Sequence, residues 1–130
     1  GPEIIQRIQT HRIESRFIMF DQYVEDDLMM SYITSSKAIM PLLHPGTRWF
    51  DKYFETKISG AYNLAFSFNK NLLMHEVFKH KEDFTDNGVF YTDLSFKKAI
   101  SEILEKKEMR RKSKFDIHFQ KQKLLSFMAI

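Results

Sequence analysis

Cysteine is absent from this 130-residue sequence, which excludes disulfide bridges, thiolate metal sites and a cysteine nucleophile. The absence is compatible with a reducing compartment, and we expect an intracellular protein, either cytoplasmic or nuclear. No uninterrupted apolar run approaches the ~18 residues that a membrane helix needs, and no signal-peptide pattern is visible. We therefore expect no membrane partner.

Glycine, proline and valine are scarce. The chain has 4 Gly and 3 Pro, so it offers few tight turns and indicates a small number of long elements. Valine, a favoured strand residue, occurs only at Val24, Val77 and Val89. This composition predicts a mainly α fold, a single compact domain of five or six helices over residues 3–130. Gly1-Pro2 is typical of the remnant of a cleaved tag.

Apolar spacing predicts where these helices lie. Apolar residues three and four positions apart predict one long helix or two shorter ones over 3–25, and further helices over about 27–43 and 61–81. Pro41 should kink the helix over 27–43. A helix that begins after Thr47 carries an aromatic stripe, and another runs from Asp93 or Ser95 to about Lys112.

The same sequence leaves an α+β alternative open. Residues 61–68 alternate between apolar and small or polar side chains, which is also the pattern of a strand. Short apolar segments near 89–92 and 115–128 are compatible with strands as well. The alternative fold therefore has short strands near 61–68, 89–92 and 115–128, flanked by helices.

No familiar catalytic, metal or cofactor pattern is present. The sequence lacks the G-x-S-x-G, P-loop and dinucleotide glycine motifs. His75 and His80 are five residues apart, so on a helix their imidazoles would point about 140° apart and would not share a metal ion. We expect no metal and no cofactor. Catalytic triads assemble in space, which leaves enzymatic activity open, but the sequence favours a non-enzymatic protein.

Large aromatic and sulfur-containing side chains are abundant, with 13 Phe and 7 Met. Several segments are apolar around more than one helical face, and interaction surfaces use such residues. We therefore predict a protein–protein interaction or assembly module, with a homodimer as one form of assembly. The residues expected to form its face are Met29, Met30, Trp49, Phe50, Tyr53 and Phe54.

A basic stretch near the C-terminus supports a different partner. Residues 105–123 carry eight Lys or Arg against three Asp or Glu, and interleaved Phe and His side chains could stack on bases. A nucleic-acid-binding domain that uses residues 106–123 is therefore the alternative function. The residues expected to bind phosphate or an acidic partner are Lys107, Arg110, Arg111, Lys112 and Lys114. If the strands are real, a ligand-sensing regulatory domain is a further alternative.

Overall fold

The computed structural model describes residues 2–107 and 117–128 of the chain. The chain forms two compact units, Gly1–Ser31 and Tyr32–Ile130, and the boundary between them falls inside a helix. Each unit is described by itself below. The single domain over 3–130 stays a prediction.

The described residues contain α-helices and a small three-stranded sheet. The helices are α1 (Pro2–Thr10), α2 (Asp26–Ser35), α3 (Phe50–Glu55), α4 (Gly60–Ser67), α5 (Phe96–Glu105) and α6 (Ile117–Met128). The strands are β1 (Ala38–Ile39), β2 (Asn71–His75) and β3 (Gly88–Tyr91), and short 3₁₀ helices span Glu14–Arg16, Glu76–Phe78 and Glu82–Phe84. The architecture is therefore helix-rich with a small parallel sheet, which agrees with the α+β alternative rather than with helices alone. Within the described ranges, no helix is long and apolar enough to cross a membrane.

The first unit begins with α1, where Pro2 occupies a position that suits a residue without an N–H group. The predicted helix over 3–25 is wrong beyond Thr10. Arg12 adopts a left-handed φ of 53°, and the Ile13 N–H donates to the carbonyl of Ile8 at 3.2 Å. This closing bond uses a carbonyl that α1 would otherwise leave unpaired, so the helix ends there.

Helix α2 is also shorter than predicted, because it ends at Ser35 rather than near residue 43. The Ser36 hydroxyl donates to the carbonyl of Ile33 at 2.8 Å, which is the local bonding by which serine competes with helix continuation. Strand β1 follows directly and pairs with β2 in parallel, Ala38 opposite Asn71.

The predicted helix over 61–81 divides at Asn69 into α4 and β2. Asn69 takes a left-handed φ of 54°, a conformation that asparagine tolerates better than most residues. The next N–H, of Lys70, donates to the carbonyl of Ala65 at 2.8 Å and closes the helix. The strand alternative near 61–68 is therefore wrong. The helical placement of His75 is wrong too, because His75 ends β2.

The other two strand alternatives have different outcomes. The strand near 89–92 is confirmed as β3, within one residue at each end. The strand near 115–128 is wrong over 117–128, which is α6, and residues 115–116 lie outside the described residues.

The sheet has the order β1-β2-β3 with every pair parallel, and β2 is buried on both faces. Leu72 and Met74 face a cluster that includes residues of α4 and the 3₁₀ turns. Leu73 faces the opposite cluster, to which α5 contributes Ala99 and Ile103. Helices thus cover both faces of the sheet, as parallel sheets require.

Candidate functional site

A cleft of ≈ 630 Å³ opens in the second unit beside α3, α4 and the two 3₁₀ turns that follow β2. We call it the aromatic cleft because six rings line it: Tyr53, Phe54, Tyr62, Phe66, Phe78 and Phe84. Its volume lies within the range of ~300–1,000 Å³ that is typical of ligand pockets.

Five of the six cleft rings belong to one connected cluster of ring contacts, namely Phe54, Tyr62, Phe66, Phe78 and Phe84. Phe50 and Phe54 lie one turn apart on α3 and stack with centroids 5.3 Å apart. Both meet Phe78 edge to face, at 5.8 and 5.4 Å. On α4, Tyr62 lies 4.8 Å from Phe84, which comes from the second 3₁₀ turn. Such contacts fix ring positions beyond what burial alone provides, so the cleft is preformed.

Lys81 connects the second 3₁₀ turn with α3, and both border the cleft. Its ammonium group donates to the carbonyl of Phe54, near the end of α3, and lies 4.3 Å from the centroid of the Phe54 ring. A cation at a helix C-terminus is favourable because the last carbonyls carry partial negative charge. The Lys81 ammonium group is therefore already paired with the carbonyl and the ring of Phe54.

Tyr62 is the unusual member of the cleft lining. It is only 5% exposed, and its hydroxyl has no hydrogen-bond partner within residues 2–107 and 117–128. Burial raises the pKa of the Tyr62 phenol from 10.0 to about 12, because the phenolate would be poorly solvated there. At neutral pH the hydroxyl is therefore protonated and can act as a donor.

The predicted interaction residues fall into three groups. Phe50, Tyr53 and Phe54 come together on α3, where Tyr53 and Phe54 line the cleft and Phe50 packs against the ring cluster. Trp49 lies just before α3 and is 51% exposed, with the Arg48 and Lys52 charges both 4.9 Å from its ring centroid. Met29 and Met30 are half-buried on α2 in the first unit.

The predicted phosphate-binding residues lie mostly outside the described residues, namely Arg110, Arg111, Lys112 and Lys114. Lys107 is exposed, and its carbonyl accepts a hydrogen bond from the Asn71 amide at 3.0 Å. Lys106, from the same basic stretch, donates to the carbonyl of Gly88 at 3.0 Å. One lysine of this stretch therefore binds its own sheet.

Four of the six cleft rings were not predicted as site residues, namely Tyr62, Phe66, Phe78 and Phe84. The sequence feature that could have pointed to them is the high density of aromatic residues between positions 49 and 90. Their convergence depends on the chain reversal at Asn69 and on two 3₁₀ turns, which apolar periodicity does not reveal.

No protein-family model matches the chain, and neither a curated protein nor a solved structure matches it.

Proposed function

We propose that this chain is a non-enzymatic binding module that accepts a large apolar side chain of a protein partner in the aromatic cleft. The observation that carries the proposal is the preformed cleft itself, in which six rings surround ≈ 630 Å³ of space. A pocket lined by aromatic side chains is what an anchor residue of a partner occupies in a protein interface.

The surroundings of the cleft favour a protein segment over a small molecule. Ile58 lines the cleft but is 74% exposed, and Trp49 stands exposed at the other end of α3. A small ligand is mostly enclosed by its pocket and would leave such residues in water. A protein segment with one side chain in the cleft would cover them with its neighbouring residues.

Charges at the rim indicate what accompanies the anchor. Glu55 and Glu82 line the cleft and are exposed, and neither forms an ion pair with any described residue. Two lysines also line the cleft, but Lys81 donates to the Phe54 carbonyl and the Lys57 ammonium group lies 5.7 Å from the Tyr53 ring centroid. We therefore infer a partner segment with a basic residue beside its aromatic or large aliphatic anchor, since complementary rim charges steer association.

Blocking the cleft tests the proposal. Asn63 is exposed on α4 and lines the cleft, so Asn63→Trp should fill it while leaving the core intact. Lys97→Trp, on exposed α5 surface, is the matched control because it adds the same side chain elsewhere. Random peptides displayed on phage should be enriched for an aromatic residue next to Lys or Arg when selected on the unaltered chain.

Binding of the selected peptides should fall at least about tenfold with Asn63→Trp, as for loss of a hot-spot contact, and stay unchanged with Lys97→Trp. Equal binding to both variants would refute the proposal. Binding of N-acetyl-tryptophan amide as tight as that of the peptides would instead support the ligand-sensing alternative, whose observation is the pocket volume. Homodimerisation and nucleic-acid binding stay predictions.

A further inference from the structure

Three side chains with metal-binding chemistry meet at one edge of the sheet, outside the aromatic cleft. His44 follows β1, His75 is the last residue of β2, and Asp93 comes two residues after β3. The carboxyl ends of parallel strands share one edge, so segments far apart in sequence converge there. That edge is where open α/β sheets place their ligands.

The distances within this group are close to those of a coordination sphere. One ligand atom from each of His44, His75 and Asp93 lies within 4.8 Å of the other two. His44 Nε2 and Asp93 Oδ1 are 3.1 Å apart. Two ligands at ~2.1 Å from a tetrahedral metal are about 3.4 Å apart, so this pair is already spaced for a shared ion. His75 needs to approach by no more than about 1.4 Å.

A backbone contact prepares His44 for this role. Its Nδ1 lies 2.7 Å from the carbonyl of Pro45, which can only accept, so Nδ1 carries the proton. In the neutral imidazole the lone pair is then on Nε2, the nitrogen that faces Asp93. Metal-binding histidines are held in their tautomer by such a carbonyl on the far nitrogen.

We propose that His44, His75 and Asp93 bind one divalent transition-metal ion of the zinc type. Two imidazoles and one carboxylate suit zinc and its neighbours, whereas magnesium and calcium take oxygen ligands. A cavity of ≈ 590 Å³ borders the site at His75 and is also lined by Glu76 and His80. Three protein ligands beside a cavity leave one coordination position for water or another small ligand.

Metal binding has a visible consequence at Val77. The Val77 N–H donates to His75 Nδ1 at 3.3 Å. An ion on Nδ1 would take that lone pair, and an ion on Nε2 would require a proton on Nδ1. In either case Val77 loses its acceptor, so its amide signal reports directly on the ligation of His75.

Titration of the chelator-treated protein with Zn²⁺ alone tests the site, with calorimetry for stoichiometry and thermal unfolding for stabilisation. We expect one Zn²⁺ per chain, a raised Tm and no response to Mg²⁺. Asp93→Asn changes a residue whose side chain is 78% exposed, so the fold should tolerate it. This variant and His75→Ala should each weaken Zn²⁺ binding more than ~10-fold. Even a residue that only hydrogen-bonds to a metal ligand weakens binding by at least about that factor when it is replaced.

His80→Ala is the matched control, because His80 is an exposed histidine on the same cavity but not in the group. Unchanged binding by His80→Ala and a shifted Val77 amide signal support the site. Absence of Zn²⁺ binding overturns it, as does undiminished binding by Asp93→Asn. An unmoved Val77 signal at full Zn²⁺ loading overturns it too, since the ion would then lie elsewhere.

Discussion

Replacing Tyr62 with phenylalanine should make the protein more stable, although the change deletes a polar group from a natural side chain. Phenylalanine keeps the ring that packs against Phe78 and Phe84 and removes only the hydroxyl. That hydroxyl is buried without a partner among the described residues. It loses its hydrogen bonds to water on folding and gains none from the described residues in return.

The size of the effect follows from that unpaired hydroxyl. An unsatisfied buried polar group destabilises by about 1–3 kcal/mol, so Tyr62→Phe should raise the free energy of unfolding by a similar amount. Tyr62 lies in a unit of about a hundred residues, for which 1 kcal/mol shifts Tm by roughly 4–8 °C. A Tm increase of about 4 °C or more is expected.

The dependence of the free energy of unfolding on alkaline pH gives a second, independent test of the buried Tyr62 hydroxyl. The pKa of Tyr62 is 10.0 in the unfolded chain and about 12 in the folded one, so between these values the unfolded state binds fewer protons. The contribution of Tyr62 to stability is therefore fully present below pH 10, falls as pH rises, and is lower by about 3 kcal/mol once pH passes 12. Tyr62→Phe should remove this decline.

Urea unfolding at pH 7 and across pH 9–11 measures both effects. Tyr53→Phe is the matched control, because Tyr53 lines the same cleft but its hydroxyl is not among the buried, unpaired groups. It should change the urea midpoint little. If Tyr62→Phe instead lowers the midpoint at pH 7, the hydroxyl has a stabilising partner and the reasoning is refuted.

Two further predictions concern β3 and the sheet edge. A Cβ at Gly88 would lie 2.5 Å from Phe90 Cζ and 2.6 Å from the Phe84 carbonyl oxygen, so Gly88→Ala should destabilise by about 1–3 kcal/mol in urea unfolding. Gly60→Ala, which meets nothing within 4 Å, should not. The Pro45 carbonyl and then Asp93 raise the pKa of His44 above 6.5 in the metal-free protein. Its contribution to stability is thus present below pH 6.5 and lost as pH rises through the folded pKa. In an NMR titration of the imidazole, Asp93→Asn should lower that pKa but not reach 6.5, since Pro45 remains.

The strand β3 and the start of the helix after it were predictable because local signals agree there. The predicted end of that helix near Lys112 is wrong, because α5 ends at Glu105 and Lys106 is extended. A short β-favouring run lies between Gly88 and Asp93, and Thr92 and Ser95 exchange hydrogen bonds in the turn before α5. The stripe on α3 was equally visible as an i, i+4 pattern, and Phe50 and Phe54 do stack.

The central strand β2 was not predictable in the same way. Four of its five residues are buried, so its sequence is a short run without alternation that also fits a buried helix. The distinguishing feature is Asn69, whose left-handed conformation ends α4. Asparagine at that position is compatible with a helix interior too, at a modest energetic cost. Tertiary packing therefore decides whether the helix ends at Asn69.

The two proposed sites share one short element, which determines how their tests must be interpreted. His75 caps the 3₁₀ helix Glu76–Phe78 through Val77, and Phe78 of that turn lies in the wall of the aromatic cleft. An ion that withdraws His75 from this cap would therefore remove a hydrogen bond from the turn that carries Phe78. Neither Asn63 nor Asp93 belongs to this turn or caps it, whereas His75→Ala removes its cap. Loss of peptide binding in His75→Ala alone would thus report on the turn and not on an anchor contact, and the remaining two variants keep the proposals separable.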